Sequence, residues 1–239
     1  MKGLWAHQYI GTFKGIGRQR INLDGVSYCH YVWEKHKMKQ WGYLRETTAD
    51  AKKAGVDPDT RLCRTGLEEY LKVIFPDTND WIHDKAICKM LDGKVLRTRP
   101  DYRSETRMMI VEFDGVQHYS NPDVILRDVQ NTANYEKLKY KVVRIPYFIQ
   151  LTNKAVKELF GVIVEEPLFD VRYASLGASR GSPAYLCPAG LERMAKDFLR
   201  FPKQYHINLK ALKDCDNDIL TGASLLEAAY NRQKAESRK

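Results

Sequence analysis

The chain has 239 residues, 44% hydrophobic and 29% charged, which is enough apolar material to bury a core and too much for a disordered tail. The longest aliphatic run, Met108-Met109-Ile110-Val111, is far short of the ~20 residues that span a bilayer. The first residues also lack the apolar core of a signal peptide, so a soluble protein without a membrane role is expected. Lysine plus arginine outnumber aspartate plus glutamate by 39 to 30, and the resulting charge of +9 favours a polyanionic partner, nucleic acid foremost. The five cysteines (Cys29, Cys63, Cys88, Cys187, Cys215) are odd in number and contain no C-x-x-C pair. That argues against a disulfide framework or a zinc ribbon and suits a reducing cytoplasm. Cys29, His30, His36 and Cys63 are the one local set to weigh as zinc ligands, but their spacing favours ordinary side chains.

Three regions follow from changes in pattern. Residues 1–62 are basic and aromatic, with Trp5, Tyr9, Tyr28, Tyr31, Trp33 and Trp41 interleaved with Arg18, Arg20, Lys35, Lys37 and Lys39. Such interleaving suits either a nucleic-acid surface, where cations meet phosphates and rings stack on bases, or a small core with a solvated rim. In residues 63–166, Thr65-Gly66-Leu67-Glu68 reads as a capping box, and Leu67, Tyr70, Leu71 and Ile74 repeat at helical spacing until Pro76. Three strands are expected next, at about Ile82–Leu91, Leu96–Tyr102 and Arg107–Asp114, most simply as an antiparallel meander. Asn121-Pro122 opens a second helix, for which Ile125, Leu126, Val129, Ala133 and Tyr140 form the predicted buried stripe. Lys141–Tyr147 reads as a strand ended by Pro146. Residues 167–239 hold a Gly/Ser/Pro loop (Ser175–Pro183) and helices near Ala189–Phe201 and Ala223–Gln233.

The chemistry concentrates in Arg99-Pro100-Asp101, ten intervening residues, then Glu112-Phe113-Asp114-Gly115-Val116-Gln117-His118-Tyr119. On a strand, Glu112 and Asp114 share a face about 7 Å apart, while Val111 and Phe113 point into the opposite layer. If the strand bearing Asp101 pairs with this one, a carboxylate cluster forms that mutual repulsion opposes unless a cation neutralises it. A divalent metal site is the natural resolution.

With these residues the chain resembles the PD-(D/E)XK nuclease superfamily. The run Val111–Tyr119 (VEFDGVQHY), Arg127-Asp128 on the following helix and Val142–Tyr147 (VVRIPY) look like its very-short-patch-repair-like, restriction-endonuclease-like branch. The likeness covers about residues 63–150. It implies an α/β restriction-endonuclease-like core (helix, three-strand meander, helix, strand), with a basic-aromatic N-terminal and a mainly helical C-terminal addition. It also implies a Mg²⁺-dependent endonuclease, with Mn²⁺ as a substitute ion, acting on double-stranded DNA at specific sites of the restriction or homing type, as a monomer or homodimer.

Carried onto this chain, the resemblance makes Asp101 and Glu112 metal ligands. Asp114 stands where the family has lysine. Without that cation, Gln117 or His118 positions the attacking water, or Asp114 itself helps hold metal. Glu68 falls where related nucleases add an acid, and it also completes the capping box with Thr65. Arg144 either contacts phosphate or pairs with a neighbouring acid. Gly177-Ala178-Ser179-Arg180-Gly181 fits G-x-S-x-G, but Pro183 follows too soon for a nucleophile elbow. An inactive nucleic-acid-binding module and a structure-specific repair or junction nuclease are the competing functions.

Overall fold

The computed structural model describes residues 17–23 and 26–32 as backbone, Trp41, Leu44, and residues 66–169 and 173–238. The chain forms two compact units, Met1–Gln40 and Trp41–Lys239. In the first, β1 (Gly17–Leu23) and β2 (Val26–Val32) form an antiparallel hairpin, in register from Gly17 opposite Val32 to Leu23 opposite Val26. The set Cys29, His30, His36 and Cys63 and the basic-aromatic surface of residues 1–62 lie outside the residues whose side chains are described, except Trp41, which is buried in the main core against Tyr70 and so is not part of a surface.

The second unit opens with α1 (Leu67–Ile74). Its N-cap is Gly66, in a left-handed conformation (φ +85°) and without a side-chain cap bond. The left-handed turn suits glycine, and Thr65 of the expected capping box lies outside the described residues. Strands β3 (Ile82–His83), β6 (Tyr102–Ser104), β7 (Met109–Asp114) and β8 (Lys141–Pro146) form one mixed sheet in that order. The first two pairings are antiparallel and β7·β8 is parallel.

The expected first and second strands each divide in two. β4 (Lys89–Leu91) and β5 (Lys94–Leu96) leave the sheet as a separate hairpin. Asp92 (φ +47°) and Gly93 (φ +78°) are both left-handed, as a two-residue turn between twisted strands requires. The meander thus survives as β3-β6-β7 with a hairpin inserted in it.

The two faces of the sheet differ. On one, Tyr102, Val111, Phe113, Val143 and Ile145 join α1 and the C-terminal helices in the main core. On the other, Ile110 meets Ile87, Tyr135 and Tyr140 in a smaller cluster beneath α3 (Pro122–Lys137), which follows a single turn, α2 (Gln117–Ser120). Asn121 caps α3 by accepting the Asp123 N–H, as expected. The predicted stripe of α3 is rotated, however. Leu126 (68% exposed), Val129 and Ala133 face outward, whereas Val124, Asp128 and Tyr135 are buried. The inward face of α3 must satisfy a charged part of the sheet, so its hydrophobic arc does not mark the side that is buried.

After β8 come α4 (Asn153–Phe160), a 3₁₀ turn (Pro183–Tyr185), α5 (Pro188–Arg200), α6 (Pro202–Lys213), α7 (Asp218–Thr221) and α8 (Ala223–Glu236). Cys88, Cys187 and Cys215 form no disulfide. Among the described residues no helix is long and apolar enough to cross a membrane.

Helix α5 lies on α2 through one row of residues. Cys187 N–H donates to Tyr119 O (3.3 Å), and the Tyr119 hydroxyl donates to Asp197 (2.8 Å). Gly190 sits where an added Cβ would come 1.6 Å from Tyr119 O. Gly190→Ala should therefore force α5 off α2 and destabilise the protein by about 3 kcal/mol or more, read as a fall in urea midpoint against wild type. An unchanged midpoint would show that the two helices are not in contact.

Candidate active site

The register that sets Tyr102 opposite Val111 places Asp101 and Glu112 side by side one step further along. They interlock. Asp101 N–H donates to Glu112 Oε2 (3.0 Å), and Phe113 N–H donates to Asp101 Oδ2 (2.6 Å). Burial pushes the Asp101 carboxyl up to about 6 against the pull of the Phe113 N–H. Burial and then the Asp101 charge push Glu112 up to about 8, opposed by Arg144. Two adjacent buried acids, each accepting one backbone N–H and Glu112 also hydrogen-bonded to Tyr135, form a donor set short of positive charge. Hard oxygen ligands of this kind suit Mg²⁺.

Asp114, one strand residue further along the same face, has a different environment. Its side chain is 1% exposed and is gripped by two arginines. From β8, Arg144 Nε donates to Oδ2 (2.8 Å) and Nη2 to Oδ1 (2.6 Å), while from α5, Arg193 Nη2 donates to Oδ2 (2.6 Å). Asp128 of α3 completes the group, bonded by Arg193 Nη1 (2.8 Å) and paired with Arg144 Nη2 (2.9 Å). His118 Nδ1 lies 2.8 Å from Asp128 Oδ2 and 3.5 Å from Asp114 Oδ1. Arg193 Nη1 also donates to His118 O (3.1 Å), which fixes the start of α2.

The electrostatics follow from this geometry. Burial opposes a charged His118 imidazole, but the Asp128 bond and the charges of Asp114 and Asp128 outweigh it, so its pKa stands above 6.5. Burial likewise opposes a charged Asp128, yet the hydrogen bonds from His118 and Arg193 hold it below the usual carboxylate value. Ligand atoms of Asp114, His118 and Asp128 lie within 4.8 Å of one another. The two guanidiniums already supply the positive charge there, so a metal ion would have to displace them.

The structure thus brings Asp101 and Glu112 into direct contact and sets His118 close enough to Asp101 to favour its charged form. Asp114 is adjacent but engaged by arginine. Gln117 is exposed at the start of α2. Glu68 accepts the hydroxyl of Tyr102, the residue after Asp101. Arg144 pairs with acids, one of its two sequence readings. Asp128 was quoted in the motif without a role, and Arg193 was not foreseen. Its position three residues from Gly190 on the packed side of α5 was the available signal. No protein-family model, curated protein or solved structure matches the chain.

Two predictions follow. Arg193→Met strips a partner from both buried aspartates and should cost about 3–5 kcal/mol in urea unfolding. Arg200→Ala, which breaks an exposed pair with Glu158 (3.2 Å), should cost under about 1 kcal/mol. Equal effects would refute the assignment. For His118, the folded pKa exceeds the unfolded value. Its contribution is therefore fully present below pH 6.5 and is lost as pH rises through the folded pKa. His118→Gln should then destabilise more at pH 5.5 than at pH 9, and thermal melts at the two pH values check the sign.

Proposed function

We propose that this protein is a metal-dependent DNA endonuclease of the PD-(D/E)XK kind that hydrolyses phosphodiester bonds in double-stranded DNA at specific sites. The observation that carries the reading is the interlocked Asp101–Glu112 pair on neighbouring strands. Support comes from the strand order β3-β6-β7-β8, from a helix ahead of the meander and another ahead of β8, and from the net charge of +9.

Asp101 and Glu112 would hold Mg²⁺, with Mn²⁺ as substitute. Such an ion supplies charge neutralisation at the scissile phosphate and a water of lowered pKa. The protein's own residues divide the remaining work. Asp128 fixes His118 through Nδ1, which leaves Nε2 as the nitrogen to accept a proton from the attacking water or return one to the leaving oxygen. Asp114 occupies the family's lysine position. The cation opposite Glu112 in the β7·β8 register is instead Arg144, whose field favours ionised Glu112. In this reading the positive charge has moved one strand over, and Asp114 serves to hold it in place.

The test is cleavage of supercoiled and mixed-sequence duplex DNA in Mg²⁺, with the ends sequenced, for wild type, Asp101→Asn and Glu112→Gln. Each substitution should lower cleavage by about 10³-fold or more. In metal-free buffer, DNA binding should be equal or tighter, because Asp101→Asn removes a charge facing the phosphate and Glu112→Gln removes one where Glu112 is ionised, above about pH 8. Mn²⁺ should raise the melting temperature of wild type but not of Glu112→Gln. Folded Glu112→Gln that cuts at the wild-type rate would refute the site. Wild type that binds duplex DNA and never cuts it would leave the inactive binding module.

A further inference from the structure

The turn that leaves the carboxylate strand runs directly into a cavity. Beyond Asp114, Val116 and Gln117 form part of the wall of a space of about 600 Å³, within the range of small-ligand sites. Its apolar surfaces are the Tyr147 ring, Val116, Leu44 and Leu176. The Tyr147 hydroxyl is occupied by Gly181 O, which leaves the ring as a fixed flat wall. Gly181 permits this approach, since a Cβ there would lie 3.1 Å from Tyr147.

The polar groups of the wall are neutral or cationic. Gln117 and Gln150 carry amides, Ser175 a hydroxyl and Arg180 an exposed cation, and among the described residues no carboxylate lines the space. Gln150 is 1% exposed. Its Oε1 accepts the Leu44 N–H, but among the described residues its two-hydrogen Nε2 meets only Tyr147 O, at 3.5 Å. Ser175 Oγ is buried with no hydrogen-bond partner among the described residues. Buried groups left short of partners point to a ligand that supplies them. A flat apolar wall with amide and hydroxyl donors and acceptors at its margin suits a nucleobase edge and face, and a cation at the mouth suits the attached phosphate.

We propose that this cavity receives one extrahelical nucleobase of the DNA, swung out of the duplex next to the phosphate held at Asp101 and Glu112. This rests on the nuclease reading and deepens it. The preferred substrate is duplex DNA with an unpaired nucleotide, because extruding a paired base costs a few kcal/mol that an unpaired one does not. Ser179, exposed on the loop and lining the cavity, is the place to obstruct it without entering the core.

The experiment measures metal-free binding to a duplex carrying a single unpaired 2-aminopurine, to the same duplex fully paired, and to the free 2-aminopurine deoxynucleoside. Wild type should bind the bulged duplex about tenfold tighter or more than the paired one, with a change in 2-aminopurine fluorescence. Ser179→Trp should erase both effects while retaining affinity for the paired duplex. Ser179→Leu obstructs the same cavity with a smaller side chain if the first variant does not fold. Equal wild-type affinity for the two duplexes, or a preference that survives obstruction, overturns the proposal. Saturable binding of the free nucleoside without a bulge preference also overturns it, by assigning the cavity to a free nucleotide. None of these arms contains metal or reads cleavage, so they fail independently of the nuclease reading. A protein that prefers the bulge but never cuts in Mg²⁺ would sink that reading alone.

Discussion

Two buried aspartates facing two arginines hold this molecule's working end together. Asp114 and Asp128 could not remain charged beneath the surface without partners, and Arg144 and Arg193 could not leave water without acids. Each guanidinium bonds both carboxylates, so no single pair can be separated without exposing the others. The five groups, counting His118, come from β7, α2, α3, β8 and α5. Geometry at the candidate site is thereby fixed by electrostatics as well as by packing. The C-terminal helices, which have no visible role in the chain's motif, become part of the site's scaffold.

The contrast between Asp114 and Glu112 shows how neighbouring acids on one strand face acquire different characters. Both point to the same side of β7. Asp114 is saturated with guanidinium hydrogen bonds, whereas Glu112 has one backbone N–H, the neutral hydroxyl of Tyr135, a second carboxylate beside it and the field of Arg144. A saturated carboxylate is structural, and an under-compensated one is poised to take up a cation. That division of labour could not be assigned from the spacing E-x-D, which treats the two residues alike.

Much of the fold was legible locally. The largely apolar run Arg107–Asp114 before Gly115 located β7, and Asn121-Pro122 marked the start of α3, because both signals depend on residues a few positions apart. The pairing of Asp101 with Glu112 was legible too, since a short connection between successive strands leaves few registers. What failed was local reasoning about a non-local requirement. The rotation of α3 was hidden because Leu126 and Val129 look like core residues, while Asp128 looks like surface until the arginines are known. The Arg193–Asp114 bond spans 79 residues and leaves no periodic trace. The β4-β5 hairpin was announced by Asp92-Gly93, but a tight turn does not say which sheet its strands will join.

The dependence of the site on Arg193 also orders events in time. Synthesis runs from the N-terminus, so Asp101, Glu112, Asp114, His118, Asp128 and Arg144 all leave the ribosome before α5 does. Until then, two aspartates share a single guanidinium and the turn bearing His118 lacks its anchor on Tyr119. A nascent or truncated chain therefore carries the acid pair without the frame that aligns a proton carrier beside it. In the nuclease reading, the acid pair and its proton carrier therefore come into register only once α5 has been made and has docked.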